Sequence, residues 1–132
     1  MRDAHNAFHL AIPVRDLDAA ERFYVGGLGC HLARRYDDRI TLDFFGDQLV
    51  CHLSNDIDED PDLYPRHFGV TFRHRDEFDA VLYLAVQREI PFFRDVQPRF
   101  KNAVEEHVTF VVRDPSNNLI EFKHYRDPRM MY

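Results

Sequence analysis

The chain has 132 residues, 45% of them hydrophobic and 30% charged, which is the profile of one soluble globular domain. A chain of this size buries roughly two-thirds of its unfolded surface. Its net charge of −6 argues against a nucleic-acid partner, because a phosphate backbone repels an acidic surface. No apolar run approaches the ~20 residues of a membrane span, and the opening "MRDAHNAFHL" carries no signal-peptide core. Two cysteines, Cys30 and Cys51, argue against a disulfide framework and fit a reduced, cytoplasmic setting, where they would pack as small hydrophobes.

Residues 8–14 ("FHLAIPV") have the apolar content of a strand, closed by Pro13, Arg15 and Asp16. Asp16 is placed to cap a helix whose apolar face is Leu17, Ala20, Phe23 and Tyr24, and Gly26, Gly27 and Gly29 end it. Three strand-like runs follow, near residues 30–36, 39–45 and 48–54, with Gly46 and Asp47 as a hairpin signal between the last two. Residues 55–65 form an acidic connecting loop. The pattern then repeats. Residues 67–73 ("HFGVTFR") read as a strand, and Asp76 as the cap of a helix with Phe78, Val81, Leu82 and Ala85 on its apolar face. Strands near 90–94 and 107–113 are separated by a loop containing Arg99, Lys101 and Asn102, whose positive charge would attract an anion. "DPSNN" at 114–118 is a turn, and 119–124 is the last strand.

The order is βαβββ twice, in modules of about residues 7–54 and 66–125, within one domain spanning 1–132. This is an α+β class. His9 opens the first module and His67 the second, 58 positions later. By strand alternation His9 shares a face with Ala11, and His67 with Gly69 and Thr71, while Phe8, Leu10 and Ile12 face the helix. The last strand of each module carries a polar residue in an apolar run, His52 in "LVCHL" and Glu121 in "NLIEFK". A repeat closing a sheet around a shared cavity would gather His9, His52, His67 and Glu121. Two imidazoles and one carboxylate form a set that holds Fe(II) with open positions, and the same donors hold Zn, Mn or Ni. Singly, each of these residues is more often a hydrogen-bonded structural group than a ligand. Their matched positions in the repeat raise the ligand reading.

These are also the residues that carry a resemblance. "HLAIPVRDLDAAERFYVGGLG" resembles the opening of the vicinal oxygen chelate superfamily, which includes glyoxalase I, the fosfomycin- and bleomycin-resistance proteins and the extradiol dioxygenases. "DPSNNLIEFK" resembles its closing signature, and the similarity runs over about residues 7–125. The resemblance implies two modules forming an incomplete mixed β-barrel with flanking helices around one divalent metal, with His9, His67 and Glu121 as ligands and a homodimer as the assembly. It argues against the metal-free, drug-sequestering members, since all three ligand positions are filled.

Within that family His52 looks like the acid–base histidine of extradiol dioxygenases, whereas glyoxalase I tends to supply a glutamate from that strand. The expected function is therefore an extradiol-type dioxygenase using Fe(II) and O2 on a small catechol-like substrate. The alternatives are a glyoxalase-like lyase or isomerase, a fosfomycin-type thiol transferase, and a non-catalytic small-molecule binder. The chain departs from the dioxygenase pattern at the strand before Glu121, whose facing residues are His107, Thr109 and Val111 rather than a tyrosine. His107 or Tyr125 would stand in. Phe44, with Phe45, Phe100 and Phe110, is a candidate wall for the substrate ring, against the plainer reading of core packing. His124 is read as structural, and His5, His31 and His74 as solvated.

Overall fold

The computed structural model describes residues 4–132. The first module runs β1 (His9–Val14), α1 (Leu17–Glu21), β2 (His31–Arg35), β3 (Arg39–Phe44) and β4 (Asp47–Leu53). The second runs β5 (Phe68–Thr71), α2 (Arg75–Gln87), β6 (Phe92–Arg99), β7 (His107–Arg113) and β8 (Leu119–Tyr125). Each module folds its strands into its own mixed sheet, ordered β1-β4-β3-β2 and β5-β8-β7-β6. The doubled βαβββ order and the α+β class are as expected, but the strand ladders form two four-stranded sheets and do not close into a barrel. Contacts divide the chain into two units, one reaching Glu59 together with Pro115–Asn117, the other comprising Asp60–Asp114 and Asn118–Tyr132. Among the described residues no helix is long and apolar enough to cross a membrane.

In the first unit Asp16 caps α1 as expected, its carboxylate accepting from the Ala19 N–H at 2.9 Å. α1 continues as a π-helical segment over Arg22–Gly27, and Gly29 takes a φ of 81° beyond it. β1 alternates as predicted, with Ile12 and Val14 buried and His9, Ala11 and Pro13 exposed. Phe8 is an exception. It lies outside the strand and is 59% exposed, so the helix-facing row begins at Leu10. The β3–β4 turn is centred on Phe45 and Gly46, both at positive φ, one residue earlier than Gly46 and Asp47. The Gly46 N–H donates to the Asp43 carboxylate at 2.8 Å.

In the second unit Phe78, Val81 and Ala85 bury the inner face of α2. They meet Phe110 and Phe122, whose rings lie 5.3 Å apart, and Phe78 meets Phe110 at 5.3 Å. Each fully buried phenylalanine contributes ~1.5–3 kcal/mol relative to exposure. The N-cap position of α2 is the extended residue His74, which makes no side-chain capping bond, rather than Asp76. Asp76 and Glu77 instead fall in the first turn, where their charge complements the helix dipole. The turn at 114–118 closes as its sequence suggests, with the Asn118 N–H and side-chain amide donating to the Asp114 carboxylate at 2.9 Å each and Asn117 at φ 65°.

β6 extends to Arg99, well beyond the strand expected near residues 90–94, and it is not regular. Phe92 pairs with Val112, Arg94 with Val111 and Gln97 with Thr109, so the register shifts twice. Directly opposed side chains share a face. Phe92 therefore faces α2 and packs on Phe110 at 5.5 Å, while Arg94, Gln97 and Arg99 all join the opposite face, the one bearing Thr109, Val111 and Glu121.

Candidate functional site

The second unit brings together two of the expected ligands. His67, immediately before β5, places its Nε2 2.8 Å from Oε2 of Glu121 in β8. The other ring nitrogen, Nδ1, donates to the Leu63 carbonyl at 2.6 Å. Because a carbonyl only accepts, Nδ1 carries the hydrogen, and the electron pair of Nε2 is directed at Glu121. An electron pair facing a carboxylate at this distance calls for either a shared proton or a metal cation between the two. The remaining carboxylate oxygen, Oε1, accepts from the Thr109 hydroxyl at 2.7 Å. Thus each member of the pair is fixed from behind by a hydrogen bond, the arrangement that orients an imidazole and a carboxylate as metal ligands. A divalent cation would take the place of the shared proton, so the donor set fits a metal.

Gly69 makes this geometry possible. It stands opposite Glu121 in the parallel β5–β8 ladder. A Cβ at residue 69 would lie 1.7 Å from the Glu121 carbonyl oxygen, which no side chain tolerates. Glycine therefore lets β5 approach β8 closely enough for His67 to reach Glu121.

Glu121 also opens onto a cleft of about 440 Å³ lined by Asp62, Leu63, Tyr64, Arg94, Gln97, Arg99, Thr109 and Val111. Leu63, whose carbonyl holds His67, thus belongs to the wall of the cleft. Arg94 and Arg99 went unassigned or were placed in a loop by the sequence, since strict alternation sets Arg94 beside Phe92 and away from Glu121. The two register shifts reverse that, and no glycine in β6 announces them. A smaller recess of about 200 Å³ on the same unit is lined by His67, Gly69, Thr71, Glu121 and Lys123.

In the first unit His9 is prepared in the same way as His67. Its Nδ1 lies 2.6 Å from the Gln48 side-chain oxygen, so that Nδ1 donates and Nε2 is left as a free electron-pair donor. His52 shares the face of His9, because Pro13 and His52 are paired as His9 and Gln48 are. It is not, however, the counterpart of Glu121. If His9 matches His67, Ala11 matches Gly69. The residue paired with Ala11 is Val50, where Gly69 pairs with Glu121. His52 corresponds to Lys123, two positions further on. It stands four residues along β4 from Gln48, about 13 Å at the usual strand rise. Among the described residues, no group of three or more histidine, cysteine or acidic side chains is assembled as a metal site. What the structure assembles is the His67–Glu121 pair.

The expected substrate wall is placed differently. Phe44 pairs with Asp47 next to the buried Leu42–Leu49 row and packs against Phe45 and Tyr24, on the helix side of its sheet and on the face opposite His9. Phe110 is likewise completely buried under α2. His107 is 9% exposed, donates through Nδ1 to the Glu105 carbonyl, and packs against the rings of Phe100 and Tyr125. Its role is packing at the end of β7, facing a second hollow that it lines with His124 and Arg126. Tyr125 shares the face of Glu121 but packs at a tilt against His107. His124 bonds the Phe72 carbonyl, a structural role as expected. Burial, aided by the nearby Asp43 charge, pushes the Cys30 thiol up to about 12, so it stays neutral and unreactive.

Comparison with known proteins agrees with this fold. The family described as the Glyoxalase/Bleomycin resistance protein/Dioxygenase superfamily matches residues 7–122. A crystal structure of a glyoxalase/bleomycin resistance protein/dioxygenase from Alicyclobacillus acidocaldarius is 63% identical, with a TM-score of 0.97 and full coverage of each chain. The fosfomycin resistance protein FosX from Listeria monocytogenes (13% identity, TM-score 0.74, covering 96% of this chain and 98% of that one) shares the fold. So does lactoylglutathione lyase from Agrobacterium tumefaciens (18% identity, TM-score 0.67, covering 91% and 93%). A search of curated protein sequences finds no match. The duplicated βαβββ units, the terminal-strand glutamate and these matches together lead to one conclusion: the chain belongs to the glyoxalase/bleomycin resistance protein/dioxygenase superfamily.

Proposed function

We propose that the protein is a metal-dependent enzyme of extradiol-dioxygenase type, acting on a small substrate with two adjacent oxygens, such as a catechol. His67 and Glu121 are two of its ligands. The observation that supports this most strongly is the His67–Glu121 pair, with each partner oriented from behind by Leu63 or Thr109. A divalent ion held there, Fe(II) in this reading, supplies Lewis acidity that favours ionisation of a substrate hydroxyl.

The chain's own residues do the remaining work. Leu63 and Gln48 keep Nδ1 of His67 and of His9 protonated, so that Nε2 is the donor in each. Thr109 holds one oxygen of Glu121, leaving the other to bind. Val50, not a carboxylate, fills the position in the first unit that matches Glu121. The absence of a second acidic donor at that position favours the dioxygenase over a glyoxalase-like site with a further acidic ligand. His52 is exposed and has no hydrogen-bond partner among the described residues, so its imidazole is available to take up the substrate proton.

The test is to load the protein with Fe(II) and supply catechol in air and under argon. Coloured ring-cleavage product formed in air alone supports the proposal. Turnover of a 2-oxoaldehyde hemithioacetal or an epoxide with Ni(II), Zn(II) or Mn(II) under argon, with no reaction of catechol in air, replaces it with the lyase or transferase reading.

A further inference from the structure

We infer that Arg94 and Arg99, with Gln97, form a binding site for a carboxylate borne by the same substrate whose adjacent oxygens address the His67–Glu121 centre. This inference rests on the proposed metal-dependent reading and names a class of substrate within it: a vicinal-oxygen compound carrying one carboxylate. Three residues of β6 are brought onto one face by its double register shift. A regular strand would display Gln97 and Arg99 there and turn Arg94 away. The irregularity therefore delivers a second guanidinium to the cleft that contains Glu121.

Among the described residues neither guanidinium forms an ion pair with a carboxylate. Arg94 donates to the Phe93 carbonyl at 3.0 Å and lies 4.5 Å from the Phe93 ring centre. Arg99 lies 5.6 Å from the ring centre of Phe100. Such stacking steadies a guanidinium while leaving much of its donor edge open. An arginine fork matches the two oxygens of a carboxylate.

The charge count chooses the anion. The other acid on the cleft wall besides Glu121 is Asp62. Two arginines against Asp62 leave one positive charge, which suits a monoanionic carboxylate better than a dianionic phosphate. Glu121 is counted separately, against His67 or the metal.

The experiment is calorimetric titration of the metal-loaded protein with 3,4-dihydroxybenzoate and with catechol, under argon so that no turnover occurs. The wild type is expected to bind the carboxylated probe about 10-fold or more tightly than catechol. The ratio should fall about 10-fold in Arg94→Gln and in Arg99→Gln, fall further in the double variant, and recover in part in Arg94→Lys. Arg75→Gln, away from this cleft and paired with Asp79, should keep the ratio. Equal affinity for the two probes in the wild type, or an unchanged ratio in the double variant, overturns the inference. Repeating the titration after metal removal separates the two claims. An arginine-dependent preference with neither probe losing affinity on metal removal upholds the carboxylate site and sinks the metal reading, whereas a metal-dependent affinity indifferent to the arginines does the reverse.

Discussion

His67 and Glu121 meet through Nε2 and Oε2 at 2.8 Å while Thr109, on the neighbouring strand β7, holds the second oxygen of Glu121 at 2.7 Å. Removing that hydroxyl should therefore loosen the carboxylate without emptying the core. Thr109→Val is nearly isosteric. It is expected to weaken divalent-metal affinity about 10- to 100-fold, the usual cost of losing such a supporting bond. Competition titration with a chromophoric chelator measures it, with the thermal transition as the check that the fold persists. Unchanged affinity would mean that Glu121 is not acting through this contact.

Gly69 offers a sharper structural test. A methyl group at that position collides with the Glu121 carbonyl at 1.7 Å, and backbone cannot swing aside as a side chain does. Gly69→Ala should destabilise the fold by about 1–3 kcal/mol or more, read from the urea midpoint, and should weaken metal binding as β5 is pushed from β8. A neutral Gly69→Ala variant would contradict the close β5–β8 approach.

The N-cap of α1 provides a prediction outside the site. Asp16→Ala removes the acceptor for the Ala19 N–H and should cost about 0.5–2 kcal/mol in chemical denaturation. Asp76→Ala, which is not a cap here, should cost less.

Much of this architecture was legible in the sequence, and the reasons differ from residue to residue. The repeat placed His67 and Glu121 in one module because strand alternation and the "DPSNN" turn are local properties. Asp16 capped its helix for the same reason. Register is not local. Whether Val50 or His52 stands opposite Ala11 depends on where β4 slides against β1, and either choice leaves a polar residue on the exposed face. The arginines of β6 were hidden by a double shift that no glycine marks, and Pro98 follows the second shift without revealing its size. Phe44 could not be told from a substrate wall by its type alone, because aromatic residues serve cores and clefts equally well. Its pairing beside the Leu42–Leu49 row settles the face.

Cys30 gives a pH prediction with a definite sign. Its thiol is pushed up to about 12 from the ordinary value of 9.0, first by burial and then by Asp43. Below pH 9 the folded and unfolded thiols are both neutral, so its contribution to stability is fully present. Between about pH 9 and pH 12 the unfolded chain releases the proton and the folded chain keeps it, so stability falls as pH rises. A Cys30→Ala variant should show a flatter decline over that window. Thiol labelling at pH 8 should modify Cys30 only as fast as the protein opens, and immediate labelling of the native chain would contradict its burial.

The central claim is that Glu121, with His67, binds a divalent cation. Protein purified without chelator under argon, loaded with Fe(II) and desalted, can be analysed for metal by plasma emission spectrometry beside Glu121→Ala treated identically. About one ion per chain in the wild type and a small fraction of that in the variant is the expected result. Equal metal content in the two proteins, or none in either, would contradict it.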